Sequence, residues 1–256
     1  MEKYVELSTE KGILRGMLHL PDEAHGKKYP GVILFHGFSG NRMEPGFMFV
    51  RFGRLLADNG IASIRFDFLG SGESDGSFTD MTFSSEAEQA SAIMDYFKSI
   101  DEIDENNIII LGLSMGGAIA GYIAGSRPSD IEGLVLWAPA GEMRLFIEQR
   151  EKQIESGEIT ENLMDIGGLL LGEGFVDDVR SINILEKTAG YRGKVLIVHG
   201  TGDTVVPVAV SEGYQKLFGE RAKLVLVDGA DHTFQGIPWI EELFTESLKF
   251  IKGNLE

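Results

Sequence analysis

Ile108-Ile109-Ile110-Leu111-Gly112-Leu113-Ser114-Met115-Gly116-Gly117-Ala118-Ile119-Ala120 is the stretch of this 256-residue chain on which its fold turns. Its first four residues are apolar at every position, as a strand covered on both faces requires. Its last four are small or apolar, as in a helix packed closely on a sheet. Between them stands Gly-x-Ser-x-Gly. A serine lifted out of a sharp strand-to-helix turn needs glycine two residues to either side, because the neighbouring backbone approaches closely. The helix then places its free N–H groups beside any negative charge that forms on a group bound to the serine.

Outward from this stretch, the same alternation recurs. Gly31–Phe35, Ile61–Phe66, Gly133–Trp137, Val195–Val198 and Leu224–Val227 are further short apolar runs. Helical spacing joins them, clearest in Phe83, Ala87, Ala90, Met94, Phe97 and Ile100, with Phe47–Ala57, Val208–Phe218 and Trp239–Ile251 as further helices. Tyr4–Thr9 and Ile13–Leu20 read as a leading hairpin that turns at Glu10-Lys11-Gly12. Strand alternating with helix predicts an α/β fold, a mostly parallel sheet flanked by helices. One stretch breaks the alternation. From Pro139 to about Tyr191 a charged segment, Glu142–Glu158, precedes the glycine-punctuated apolar piece Ile166–Phe175. A structureless loop of that length is uncommon in a compact domain. The expected organisation is therefore a core of residues 1–138 and 192–256, with residues 139–191 inserted after the sixth strand as a cap.

Composition excludes whole classes of function. The formal charge of −17 argues against nucleic acid and against an anionic membrane surface as partners. The chain has no cysteine, hence no disulfide, thiolate nucleophile or zinc–thiolate site. The residues Met1–Glu6 lack the apolar core of a secretory signal, and no apolar run reaches the roughly 20 residues of a membrane span. The expectation is a soluble, cytoplasmic protein, its oligomeric state left open with a homodimer among the options.

A second Gly-x-Ser-x-Gly, Gly72-Glu73-Ser74-Asp75-Gly76, matches the pattern equally well. With 33 glycines, about one chance match is expected in every four such chains, so context must decide. Ser74 lies in a polar loop whose next helix starts only near Phe83, so it reads as a loop residue and Ser114 as the nucleophile. A serine hydroxyl needs a base to take its proton. Of five histidines, His19 and His25 fall in the leading hairpin and the linker after it, and His36 and His199 read as local hydrogen-bonding residues at strand ends. His232 lies in the loop after the last strand, at the carboxyl edge where parallel sheets place function, and is taken as the base. An acid must orient that histidine. Asp203, after the preceding strand, gives the order Ser, Asp, His known among serine hydrolases of this sheet type, with Asp231 its main rival. Donors for an oxyanion are expected at the N–H of Met115 and, after Leu34, at the N–H of Phe38.

Phe35-His36-Gly37-Phe38-Ser39-Gly40-Asn41, Phe66–Gly76, Gly112–Gly117 and His199-Gly200-Thr201-Gly202-Asp203 together resemble the bacterial α/β-hydrolase carboxylesterases, and among them the cinnamoyl (feruloyl) esterases. The resemblance covers nearly the whole chain. It implies a triad of Ser114, Asp203 and His232, oxyanion donors at Phe38 and Met115, and an inserted subdomain over the site. In cinnamoyl esterases polar side chains of that insertion help hold a phenolic ring. This chain has no tyrosine between Pro139 and Gly190 and offers Gln149 and Gln153 there. The implied activity is hydrolysis of a small-molecule carboxylic ester through an acyl-enzyme, with no metal or cofactor called for. A peptidase or thioesterase on the same fold, and a non-enzymatic binding protein, are the competing classes.

Overall fold

The computed structural model describes residues 1–22, 28–141, 143–157 and 165–255; His25 and the two ends of the charged segment, Glu142 and Glu158, lie outside them. In chain order the strands are β1 (Glu2–Thr9), β2 (Gly12–His19), β3 (Tyr29–Phe35), β4 (Ala62–Phe66), β5 (Ile103–Leu113), β6 (Gly133–Trp137), β7 (Asp165–Ile166), β8 (Leu169–Leu170), β9 (Lys194–Gly200) and β10 (Ala222–Val227). The helices are α1 (Met48–Asp58), α2 (Phe83–Lys98), α3 (Met115–Ser126), α4 (Met143–Glu155), α5 (Glu173–Ser181), α6 (Ile184–Thr188), α7 (Val208–Phe218) and α8 (Ile237–Lys252).

Among the described residues one sheet runs β1-β2-β4-β3-β5-β6-β9-β10. β1 and β2 pair antiparallel, β2 pairs antiparallel with β4, and every pairing from β4 to β10 is parallel. This is the α/β-hydrolase architecture. The strand order reverses at β3: the chain passes to β4 on one side and returns to β5 on the other. In such sheets the crevice at the reversal, outside the carboxyl ends of the strands, is where ligands bind.

The unbroken apolar runs follow from burial on both faces. Alternate residues of one strand enter different cores. Ile33, Phe35, Ile108, Ile110, Leu134 and Leu136 face a core with α2, α3 and α7. Val32, Leu34, Ile109, Leu111, Val135 and Trp137 face a second core with α1 and α8. There the Trp137 ring lies among Phe49, Phe52 and Phe244, and its indole N–H donates to Ser247 Oγ at 2.9 Å. α2 starts where its sequence says it should, at a reciprocal cap between Thr82 and Ser85.

Between β6 and β9 the described chain contributes α4, the two-stranded ribbon β7–β8, α5 and α6. The glycines of α3 do two separate jobs. A Cβ on Gly116 would lie 2.1 Å from the Phe35 carbonyl oxygen, so this end of the helix presses on the sheet. A Cβ on Gly125 would lie 1.9 Å from the Lys187 carbonyl oxygen, and Gly121 abuts Thr188, so the far end receives α6. No helix among the described residues is long and apolar enough to cross a membrane.

Candidate active site

β5 delivers Ser114 to the crevice. Its backbone is held at φ 55°, ψ −121°, a conformation costly for any residue but glycine. The surroundings enforce it: Ser114 N–H donates to the Trp137 carbonyl at 2.9 Å, and its own carbonyl accepts from Ala118 and Ala140 N–H. Both flanking glycines are obligatory, since a Cβ on Gly112 would sit 2.0 Å from the Gly116 carbonyl oxygen. Ser74 is elsewhere and fully engaged. Its hydroxyl donates to the Asp67 carbonyl at 2.7 Å and accepts from Arg15 N–H at 2.8 Å, tying the Gly70–Gly76 loop to β2.

His232 and Ser114 line one cleft of about 470 Å³. Among the described residues no hydrogen bond joins the two side chains; such contacts commonly tighten only around a bound substrate. His232 Nδ1 donates to Asp203 Oδ2 at 2.7 Å. The Asp203 carboxylate is completely buried. Its other oxygen accepts from Val205 N–H at 2.8 Å and Val206 N–H at 2.9 Å. Burial by itself would raise this carboxyl; the hydrogen bonds from His199, His232 and the Val206 N–H together outweigh it and hold the group well below the ordinary carboxylate range. The rival Asp231 is occupied with its own turn, accepting from Thr233 and Gln235 N–H.

His199 is the residue that sequence reading undervalued. Its Nε2 faces two acceptors, the Val206 carbonyl at 2.9 Å and Asp203 Oδ2 at 3.1 Å, so that nitrogen carries the proton. Nδ1 then accepts from Ser211 Oγ at 2.6 Å. The imidazole therefore braces Asp203 from behind, and the signal was its place four residues ahead of that aspartate. His36 is a local hydrogen-bonding residue, as its sequence context implies: Nδ1 donates to the Gly37 carbonyl at 2.9 Å and Nε2 accepts from Phe68 N–H at 3.1 Å. His19 is buried beside Arg65, away from the cleft, and burial with that cation pushes its imidazole down to about 4.

The Gly37–Phe38 peptide is pinned by its carbonyl, which accepts from His36 and from Gly40 N–H. In a trans peptide the N–H points opposite to the C=O. The Phe38 N–H, which has no partner among the described residues, is therefore turned away from His36 and Gly40, and Phe38 lines the same cleft as Ser114. Met115 N–H opens α3, where the first turn leaves donors free. Met43 and Phe47 add exposed apolar surface to the cleft. Over the Phe38 ring lie Phe78 at 5.6 Å and Phe175 of α5 at 5.3 Å. Asp178, also on α5, accepts from Ser84 N–H and Oγ at the start of α2. Neither Gln149 nor Gln153 is among the cleft's lining.

Glu44 lines the same cleft and was not singled out by sequence. A charged residue in a polar loop reads as solvated, yet this one is only 8% exposed. Burial pushes its carboxyl up to about 7, against the lowering effect of a 2.6 Å hydrogen bond from Gly37 N–H.

Comparison with known proteins agrees with this architecture. Est1E of Butyrivibrio proteoclasticus, solved with ferulic acid bound, superposes with a TM-score of 0.82 at 25% identity, covering 98% of each chain. The mouse alpha/beta hydrolase domain-containing protein 10 shares the fold, with a TM-score of 0.78 at 21% identity over 98% of this chain and 99% of that one. Palmitoyl-protein thioesterase ABHD10 of Mus musculus is 26% identical over 199 residues, 73% of this chain and 64% of the relative. An uncharacterized Mycobacterium tuberculosis protein is 25% identical over 228 residues, 89% of this chain and 71% of the relative. Residues 26–162 match the family described as Serine aminopeptidase, S33. With more than half of its length so matched, the chain belongs to that family of α/β-hydrolases.

Proposed function

We propose that this hydrolase cleaves carboxylic esters of small, largely apolar acids through an acyl-enzyme on Ser114. One observation carries the reading: a strained serine, a histidine held by a buried carboxylate and an unpaired backbone donor converge on one cleft. In this reading His232, its Nδ1 proton fixed on Asp203, takes the Ser114 proton at Nε2 as Oγ attacks the ester carbonyl. The negative oxygen that forms is held by Phe38 and Met115 N–H. His232 then gives the proton to the leaving alcohol, and water repeats the sequence to release the acid. The excursion 139–191 acts as a cap, with Phe175 closing over Phe38. The apolar rim of Met43 and Phe47 favours aryl or short acyl groups over a charged peptide. Likeness to Est1E, which was solved with ferulic acid, makes hydroxycinnamates the first aryl esters to try.

The test is a serine-directed organophosphate, followed by peptide mass analysis, together with Ser114→Ala. Labelling on the Ser114 peptide and loss of activity in the variant are expected; labelling elsewhere, or an active Ser114→Ala, sinks the proposal. Rates on p-nitrophenyl esters, methyl ferulate, acyl-CoA and aminoacyl amides, measured side by side, decide the bond. Preference for the amides or the thioester would overturn the ester reading while leaving Ser114 in place.

A further inference from the structure

The loop from β3 to α1 holds three residues other than glycine at positive φ: Ser39 at 57°, Glu44 at 57° and Phe47 at 56°. Glu44, at ψ 161°, occupies a region of backbone space nearly reserved for glycine. Strain of that kind persists only where the surroundings impose it. Here it turns the Glu44 side chain back into its own loop. The carboxyl reaches across seven residues to accept Gly37 N–H at 2.6 Å. Gly40 leaves room for it, since a Cβ there would stand 3.0 Å from Glu44 Oε1. Gly37 in turn touches the nucleophile: a Cβ on it would lie 3.3 Å from Ser114 Cβ.

Gly37 is therefore gripped at both ends. Its carbonyl is held by His36 and Gly40, and its N–H by Glu44. Of the two adjacent donors, Gly37 and Phe38, only the second is left for a ligand. Without the carboxyl, Gly37 N–H would be free to rotate toward the cleft or toward water, and the following peptide would lose one of its fixed points. Burying an ionisable group to make one hydrogen bond is unfavourable for the fold, so the arrangement fits a site better than a scaffold.

We infer that Glu44 is a positioning residue of the oxyanion loop: by holding Gly37 N–H it fixes the plane in which Phe38 N–H meets the oxyanion. The inference rests on the proposed acyl transfer at Ser114. It concerns a bond that exists before substrate arrives and matters most when the tetrahedral oxygen forms. Removing it should thus weaken the transition state more than the Michaelis complex.

The test compares Glu44→Ala, Glu44→Asp and Glu44→Gln by steady-state kinetics on an aryl ester, by active-site titration with the organophosphate, and by inhibition with an arylboronic acid. Misplacing one oxyanion donor predicts a fall in kcat of about 10- to 100-fold in Glu44→Ala, below the cost of deleting a donor outright. KM should stay within about twofold, full titration of Ser114 should be reached more slowly, and boronate affinity should fall in step with kcat. Glu44→Asp, whose carboxyl is one methylene short, should resemble Glu44→Ala. Glu44→Gln keeps an acceptor in place and should recover most of the loss, to within about threefold. If Glu44→Ala fails to fold, the contrast between Glu44→Asp and Glu44→Gln decides the question by itself. Unchanged kcat in Glu44→Ala or Glu44→Asp, a loss shared equally by KM, or Glu44→Gln as impaired as Glu44→Asp would overturn the inference. Ser114 would still label in each of those cases, whereas an unlabelled Ser114 would overturn the acyl-transfer reading itself.

Discussion

Glu44→Gln should stabilise this protein at neutral pH, and the gain should grow along a defined pH window. Burial raises the Glu44 carboxyl from its ordinary value of 4.5 to about 7, so the native state holds that proton more tightly than the unfolded chain. Below pH 4.5 the group is protonated in both states and its stabilising effect is complete. Between 4.5 and 7 the unfolded chain ionises while the native state does not, and stability falls as pH rises. Above 7 both are ionised and the loss is complete. The interval of 4.5 to about 7, at about 1.4 kcal/mol per pH unit, amounts to about 3 kcal/mol. Glutamine keeps an acceptor for Gly37 N–H and has no proton to lose. Urea unfolding of wild type and variant, from pH 4.5 to 8 in half-unit steps, reads the difference directly. Titration of other buried groups cancels in the subtraction, Glu86 included, whose carboxyl burial also raises well above its ordinary value. The difference should climb by about 3 kcal/mol across the window and then level off. A difference constant to within about 0.5 kcal/mol from pH 4.5 to 8 would refute the reasoning, because Glu44 would then ionise as an exposed carboxylate does.

Asp203→Asn should lower kcat by about four orders of magnitude while the protein stays folded. The Val205 and Val206 N–H groups on one oxygen cannot reverse and His199 keeps the Val206 carbonyl for its proton, so the new amide nitrogen takes the other side, where His232 yields by accepting at Nδ1 and presenting a proton, not a lone pair, to Ser114; circular dichroism and ester kinetics together check this, and activity within tenfold of wild type would contradict it. Two Gly→Ala changes in helices should have opposite signs: Gly116→Ala, whose Cβ would strike the Phe35 and His36 carbonyl oxygens at 2.1 and 2.4 Å, should cost about 3 kcal/mol or more, whereas Gly213→Ala, with nothing within 4 Å, should gain about 0.5–1 kcal/mol. Thermal unfolding of the pair reads both, and a shift of the same sign in each would show the packing argument to be wrong.

The fold was legible because its strands are buried on both faces and its helices on one. Apolar runs and three-to-four spacing are direct consequences of those burial patterns, and β6 and α7 match the sequence reading residue for residue. β5 begins five residues earlier than its apolar run because Asp104–Asn107 are half-buried or exposed, where apolar residues are not required. Ser114 was separable from Ser74 because strand and helix context is local. Glu44 and the brace on Asp203 from His199 were not. Both depend on where a loop returns in space, and a glutamate or a histidine carries the same letter whether solvated or buried. The contact of Phe38 with Phe175 spans the whole central part of the chain, and no local spacing encodes it.

The excursion between β6 and β9 leaves and rejoins the core on the same helix. It departs where Ala140 N–H donates to the Ser114 carbonyl at 2.9 Å, and it returns where Thr188 and Lys187 seat against Gly121 and Gly125. Its length is therefore nearly decoupled from the turn at Ser114. Doubling a loop whose ends are already fixed costs only about 0.6 kcal/mol, so segments can be lengthened, shortened or exchanged between those two anchors without disturbing the nucleophile's turn. The two ends of the twelve-residue α3 thus act as a fixed frame, and the segment strung between them can vary while the frame stays the same.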